Sequence, residues 1–275
     1  MPTEAPAGVA GSSGGAARGS VVITGASAGL GASLAVAYAE PGRVLGIVAR
    51  RSDALERVAA LCRARGAEVV SGVLDVTEGA ELEAWLRIFD AGHPLDLVIA
   101  NAGLFGGIGA DGLLEAEAEV AALLAVNLKA AIVTANVAAT LMRARRRGRI
   151  ALITSLAARH PLADAPAYSA SKAGLSAYGE ALREWLADSG VGVSVVLPGH
   201  IDTAQTALQK GVLPDLMSPE SAARVIKRGL DRGRSTIAFP VHLLWLIRLG
   251  RCVPWRVRAW FGRSLRFTVD DPPSF

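Results

Sequence analysis

A chain of 275 residues, 51% hydrophobic and 20% charged, is long enough to bury a substantial core and fits one α/β domain with extensions. The net charge of +4 is uneven: residues 242–267 carry Arg248, Arg251, Arg256, Arg258, Arg263 and Arg266 with no acid, and removing those six from 29 basic residues leaves 23 against 25 acids. A slightly acidic body argues against a nucleic-acid-binding core, and two distant cysteines, Cys62 and Cys252, argue against a zinc or disulfide framework and for reduced thiols in the cytoplasm.

Residues 1–19 are small, rich in Gly, Ser and Ala, and lack the basic start and apolar run of a secretory signal, so a disordered tail is expected there. Residues 20–24 (SVVIT) read as a buried strand running into the glycine-rich GASAGLG and an alanine-rich helix to about residue 40. A second buried strand over 43–49 leads to Arg50, Arg51 and a helix from about residue 52. A third strand over 67–74 ends at Asp75, followed by Val76 and a helix over 78–89; a fourth over 95–100 ends at Asn101, Ala102 and Gly103. A long helix over 115–145 precedes a strand over 149–154, which delivers Ser155. The helix carrying Tyr168 and Lys172 extends to about residue 188, and a last strand over 192–197 ends in Pro198 and Gly199.

This alternation predicts a parallel, doubly wound α/β sheet with helices on both faces, whose ligands sit at the carboxyl ends of the strands. Gly25, Arg50, Asp75, Asn101, Ser155 and Pro198 all follow strand ends and should converge on one rim. There, Thr24 to Gly31 reads as a phosphate-cradling turn, because glycines allow a tight bend and close backbone approach to a pyrophosphate. Tyr168 and Lys172 stand four residues apart on one helix face, so the ammonium is expected to favour the phenolate of a group whose ordinary pKa is about 10. At the end of the second strand an acid would bind the adenosine ribose, whereas arginines suit a 2′-phosphate; Arg50 and Arg51 therefore point to NADP(H), with NAD(H) as the secondary cofactor.

The spacing T-G-x-x-x-G-x-G, with Asn101-Ala102-Gly103, Asn127, Ser155, Tyr168, Lys172 and Pro198-Gly199 in order over about residues 20–205, resembles the short-chain dehydrogenase/reductase family. The resemblance implies a Rossmann-type domain moving hydride between a nicotinamide cofactor and a carbonyl or hydroxyl carbon. Tyr168 would be the proton donor or acceptor, Lys172 would stabilise its phenolate and bind the nicotinamide ribose, and Ser155 would polarise the substrate oxygen. Asn127 would help hold a relay water, although a buried polar residue in a long helix explains it equally. Ser155 is preferred over the neighbouring Thr154 by its spacing to Tyr168. Cofactor contacts are implied for Gly25, Ser27, Gly29, Leu30 and Gly31 of the turn, and for Arg50, Arg51, Asp75, Val76, Asn101, Ala102 and Gly103 along the rim. Tyr168 and Lys172 on their helix, then Pro198, Gly199, Ile201 and Thr203 after the last strand, complete the set. No metal is expected, and the family likeness implies a homodimer or homotetramer. A catalytically silent nucleotide sensor or scaffold on the same fold is the alternative function; it would be expected to lose part of the catalytic set that this chain retains.

Outside the motifs, residues 204–217 are apolar and read either as a lid over an apolar substrate or as a helix packed on its own core. His160 and His200 lie near the site in sequence but are expected to be structural or substrate-contacting. Residues 239–275 form a basic, apolar extension beyond a catalytic domain at 20–238. Its Trp245, Trp255, Trp260 and leucines between arginines favour peripheral contact with a membrane surface over packing on the domain or across a dimer, and Pro254 splits it into segments too short to span a bilayer. The arginine cluster at 143–149 complements a helix C-terminus.

Overall fold

The computed structural model describes residues 19–250, 253–262 and 266–269. The expected disordered tail, apart from Gly19, lies outside the described residues, as do Cys252, Arg251 and Arg263. The chain alternates β1 (Ser20–Thr24), α1 (Gly29–Tyr38), β2 (Val44–Ala49), α2 (Ser52–Arg63), β3 (Glu68–Val73), α3 (Gly79–Gly92) and β4 (Leu95–Ala100). It continues through α4 (Glu117–Leu124), α5 (Ala131–Arg145), β5 (Gly148–Ile153), α6 (Pro166–Trp185), β6 (Val191–Pro198), β7 (Gln209–Lys210), α7 (Pro219–Asp231) and β8 (Thr236–Phe239). The extension supplies α8 (Val241–Gly250), α9 (Trp255–Gly262) and β9 (Thr268–Val269).

Seven strands form one parallel sheet in the order β3-β2-β1-β4-β5-β6-β8. β1 and β6 are buried over almost their whole length because helices cover both faces, which is why SVVIT and VGVSVVLP do not alternate in polarity. On one face Leu34, Tyr38, Leu55, Val58, Ile226 and Leu230 of α1, α2 and α7 pack on the sheet. On the other, α3, α5 and α6 contribute Leu86, Phe89, Ala135, Met142, Leu175 and Leu182. Trp85 of α3 lies flat over Gly72, where an added Cβ would come within 2.7 Å of the indole, so the small residue lets the helix approach the sheet. Strand order reverses between β1 and β4, which opens the crevice in which such sheets bind ligands.

Two expectations are corrected. The helix expected over 115–145 is broken by one π turn, Ala125–Ala130, and Asn127 sits in that turn. Inserting one residue rotates the side chains on either side and brings Asn127 into the interior, a placement that regular helical spacing does not reveal. The run Glu117–Arg145 is long and apolar enough to cross a bilayer, but its buried side packs on β4, β5 and α3 as a layer of the core. Residues 204–217, in turn, are not a helix on a core of their own: they hold a short 3-10 turn, Thr206–Leu208, and β7, which pairs antiparallel with β9.

Candidate active site

The carboxyl ends of β1 to β6 open on one cavity of about 1520 Å³. Small-molecule sites run to roughly 300–1,000 Å³, so this one has room for a cofactor and a substrate together. Every residue expected at the site lines it except Asn127, which lies one layer behind. Gly25 and Gly29 adopt left-handed backbone (φ 68° and 52°), which glycine reaches without strain. At Gly31 a Cβ would collide with the Gly25 carbonyl oxygen and the Asn101 amide, so the start of α1 can pack against the turn only with glycine there. The turn is braced from β4: Thr24 Oγ1 accepts from the backbone N–H groups of Asn101 and Ala102, each at 3.1 Å, and Asn101 Nδ2 donates to the carbonyls of Thr24 (2.9 Å) and Gly25 (3.3 Å). Asn101 thus shapes the turn, with its amide nitrogen already committed.

Around this turn the charged groups pair with one another and with the turn. Arg50 Nη1 lies 3.4 Å from Asp75 Oδ2 and Arg51 Nη2 lies 3.5 Å from Ser27 Oγ. Burial alone would raise the Asp75 pKa, but hydrogen bonds from Thr77 and the Arg50 charge outweigh it and hold the carboxyl below its ordinary range. Both guanidinium groups are exposed, and Arg51 has no carboxylate within ion-pair distance among the described residues. Val76 is buried beside them.

At the centre of the cavity, Ser155, Tyr168 and Lys172 come together from the end of β5 and the first turns of α6. Pro166, at the first turn of α6, starts this helix where a proline costs no hydrogen bond. The Thr154 hydroxyl donates to the Val196 carbonyl at 2.6 Å inside the sheet, so of these two adjacent hydroxyls it is that of Thr154 that is committed to the sheet. Ser155 Oγ accepts from the Ala157 N–H at 3.1 Å and hydrogen-bonds Tyr168. Lys172 is buried, donates to the Ile153 carbonyl at 3.1 Å and stands 5.8 Å from the centre of the Tyr168 ring.

The electrostatics of the pair differ from the sequence expectation. Burial pushes the Tyr168 phenol up, only partly offset by the Ser155 hydrogen bond, and burial lowers Lys172 to about 8. Among the described residues no carboxylate acts on the pair to hold the ammonium, so desolvation outweighs the helix-face attraction and Tyr168 stands as a neutral phenol, a proton donor. Asn127 Oδ1 accepts from Leu104 N (2.7 Å), while its Nδ2 donates to Leu104 O (2.9 Å) and Ser171 Oγ (3.1 Å). A Cβ on Gly103 would stand 3.2 Å from Asn127 Oδ1 and 3.3 Å from Lys172 Nζ, so both flank the same point of the rim.

After β6, Thr203 packs against the turn, its Cγ2 only 3.1 Å from where a Gly29 Cβ would lie, and Pro198, Gly199 and Ile201 continue the wall. Sequence reading missed the rest of that wall. Gln205 Oε1 accepts from Phe105 N at 2.6 Å and its Nε2 donates to Gly103 O at 3.0 Å, joining the segments after β6 and β4. Phe105 packs edge-on to Tyr168 (4.9 Å between ring centres) and against Phe267 (6.2 Å), which arrives with β9 from the end of the chain. Arg266 Nε binds both oxygens of the buried Asp164 at 2.6 and 2.8 Å, and Phe267 N donates to the same carboxylate at 3.1 Å. Leu243, Leu244 and Ile247 of α8 pack on Leu156, Val195 and Leu197, so the extension does lie against the sheet-end rim. His160 and His200 both line the cavity, with their pKa values lowered first by burial; His200 Nδ1 pairs with the Pro214 carbonyl at 3.2 Å. Among the described residues no group of three or more His, Cys, Asp or Glu gathers as a metal site.

Comparison with known proteins agrees with this geometry. The family model for short chain dehydrogenase matches residues 20–211. The chain is 34% identical over 234 residues to an uncharacterised oxidoreductase of Myxococcus xanthus, covering 85% of this chain and 92% of that one. It is 30% identical over 257 residues to the ketoacyl reductase HetN of Nostoc, covering 88% of each. Among solved structures, a short-chain dehydrogenase from Sphingobium yanoikuyae in complex with NADPH superposes with a TM-score of 0.72 at 26% identity, over 90% of this chain and 94% of that chain. The chain belongs to the short-chain dehydrogenase family and is an oxidoreductase of the CH–OH/C=O pair.

Proposed function

We propose that the chain is an NADP(H)-dependent reductase of an apolar carbonyl compound, with Ser155, Tyr168 and Lys172 as its catalytic residues. The observation that carries this reading is that a neutral, buried phenol faces the same cavity as the glycine turn and two exposed arginines. The residues suit a dinucleotide: Gly25, Ser27, Gly29, Leu30 and Gly31 would cradle its pyrophosphate, and Val76, Ala102 and Gly103 would flank the adenine half. Asp75 and Asn101 stay bound to their protein partners and shape that wall. Arg51, paired among the described residues with a serine, has most of its fork free for a 2′-phosphate, with Arg50 beside it. Thr203, Ile201, Gly199 and Pro198 would close over the nicotinamide. When bound, the cofactor supplies the hydride.

The protein's own part is to hold and protonate the carbonyl oxygen. Ser155 and Tyr168 present two hydroxyls to one oxygen, and Tyr168 gives up its proton as negative charge develops there. Lys172, cationic below about pH 8, stabilises the phenolate left behind. Asn127 acts from behind as a positioning residue: it fixes Leu104 and the Ser171 turn of α6. With the phenol protonated at neutral pH, the resting protein is set for reduction.

Residues 20–238 are read as the catalytic domain and 239–275 as an extension that walls the substrate side. Leu246, Leu249 and Trp255 both line the cavity and are exposed, so they form a lip through which an apolar substrate would enter. With Trp245, Trp260 and the arginines, this lip supports the reading of peripheral membrane contact; the protein is read as cytoplasmic and, from its family likeness, as a homodimer or homotetramer. The test is a panel of cyclic and long-chain ketones and aldehydes with NADPH and with NADH, followed by loss of nicotinamide absorbance. Turnover with NADPH on apolar members is expected, and NADH-only turnover or activity confined to small polar carbonyls would reject the reading.

A further inference from the structure

On the substrate side of the cavity, away from the glycine turn, the lining carries two arginines, Arg258 and Arg266, and one acid, Asp164. Asp164 is consumed: both its oxygens hold Arg266, and one also accepts from Phe267 N. Arg258, on α9, has no carboxylate within ion-pair distance among the described residues, and its Nε is buried with no hydrogen-bond partner. Leu249, Val253 and Trp255 of the same extension line this cavity with it. Arg159, which shares a small adjoining recess with Arg258, is already paired with Glu180. The charged form of His160 is disfavoured by burial and then by the Arg258 charge, so a neutral imidazole faces the guanidinium. A half-buried guanidinium lining this cavity lacks the counter-charge that buried cations normally require.

We propose that Arg258, with His160 beside it, is an anion-recognition subsite that takes a carboxylate or phosphate borne by a long apolar carbonyl substrate, remote from its reacting carbon. The proposal rests on the reading above, in which the carbonyl compound occupies this cavity. The planar fork matches either anion with two parallel hydrogen bonds, and the neutral imidazole adds a donor. The same chemistry on a lipid headgroup is the competing source. The cavity-facing position and the buried Nε favour a substrate-borne anion, since a headgroup would meet the outward face of Trp245 and Trp260.

The experiment is calorimetric titration of decanoate, decyl phosphate and decanol into the full chain loaded with NADP+. Charge-assisted hydrogen bonds lead us to expect decanoate or decyl phosphate to bind at least about tenfold more tightly than decanol. Arg258→Gln should remove that advantage and leave decanol and NADP+ binding unchanged, whereas Arg258→Lys should retain part of it. If Arg258→Gln fails to bind NADP+ it is misfolded, and Arg258→Lys then carries the comparison. Equal binding of anion and alcohol by the wild type, or an anion advantage that survives Arg258→Gln, would overturn the proposal. So would loss of co-sedimentation with phosphatidylglycerol vesicles in Arg258→Gln with the anion advantage intact, which assigns Arg258 to the membrane. Because binding is read without turnover, absence of reductase activity would count against the proposed function and leave this result standing.

Discussion

The strand-end rim and the C-terminal extension build opposite walls of one cavity by different physical means. In the rim, β-strands deliver Gly25, Arg50, Asp75, Asn101, Ser155 and Pro198 to one level, and the backbone itself fixes where each side chain begins. In the extension, position depends on contacts made over long stretches of sequence: Arg266 to Asp164 and Phe267 to Phe105 across more than a hundred residues, and β9 to β7 across about sixty. On the proposed reading, the chemical step is carried by the first wall and substrate selection falls to the second.

That division can be broken at three points of decreasing size. On the rim, Arg51→Ala should raise the KM for NADPH by about tenfold or more and leave the KM for NADH unchanged, because only a 2′-phosphate uses the fork. A parallel rise for both cofactors would make Arg51 a structural residue. On the extension, Arg266→Ala leaves Asp164 buried with the Phe267 N–H as its remaining tail contact, and should raise the KM for apolar carbonyls by about fivefold while the KM for NADPH stays put. Equal KM values before and after would separate the tail from substrate binding. The pH profile gives the mildest change. Burial lowers Lys172 to about 8, so its cation is present below that pH and lost above it. Reductive kcat/KM should therefore be level near neutrality and fall as pH rises through about 8, with a limiting slope of about one decade per unit. A profile level to pH ~10 would place the titration elsewhere.

The same contrast explains what the sequence discloses. Tyr168, Lys172 and Ser155 were legible because helix spacing and a strand end translate directly into position, and the order of the glycine turn and strands sufficed for the sheet. The phenolate bias was misjudged because spacing on a helix says nothing of burial, which dominates both pKa values. Asn127 could be named as buried, but the π turn that directs it inward adds a residue to the helical repeat and has no compositional mark. The lid at 204–217 and the tail were ambiguous for one reason: β7 and β9 are two residues each, and neither exists without the other. Gln205, Asp164 and Phe267 carried no signal at all, since their partners lie 100 or more residues away.

The central claim, that Tyr168 protonates the substrate oxygen beside a bound NADP(H), is tested most directly by measuring NADPH affinity and carbonyl turnover together in Tyr168→Phe. The account predicts turnover lower by about 10²- to 10⁴-fold with NADPH affinity unchanged, since the ring remains and only the proton is gone. Turnover within about twofold of the wild type would contradict it, because a general acid that can be removed at so small a cost is not the proton donor.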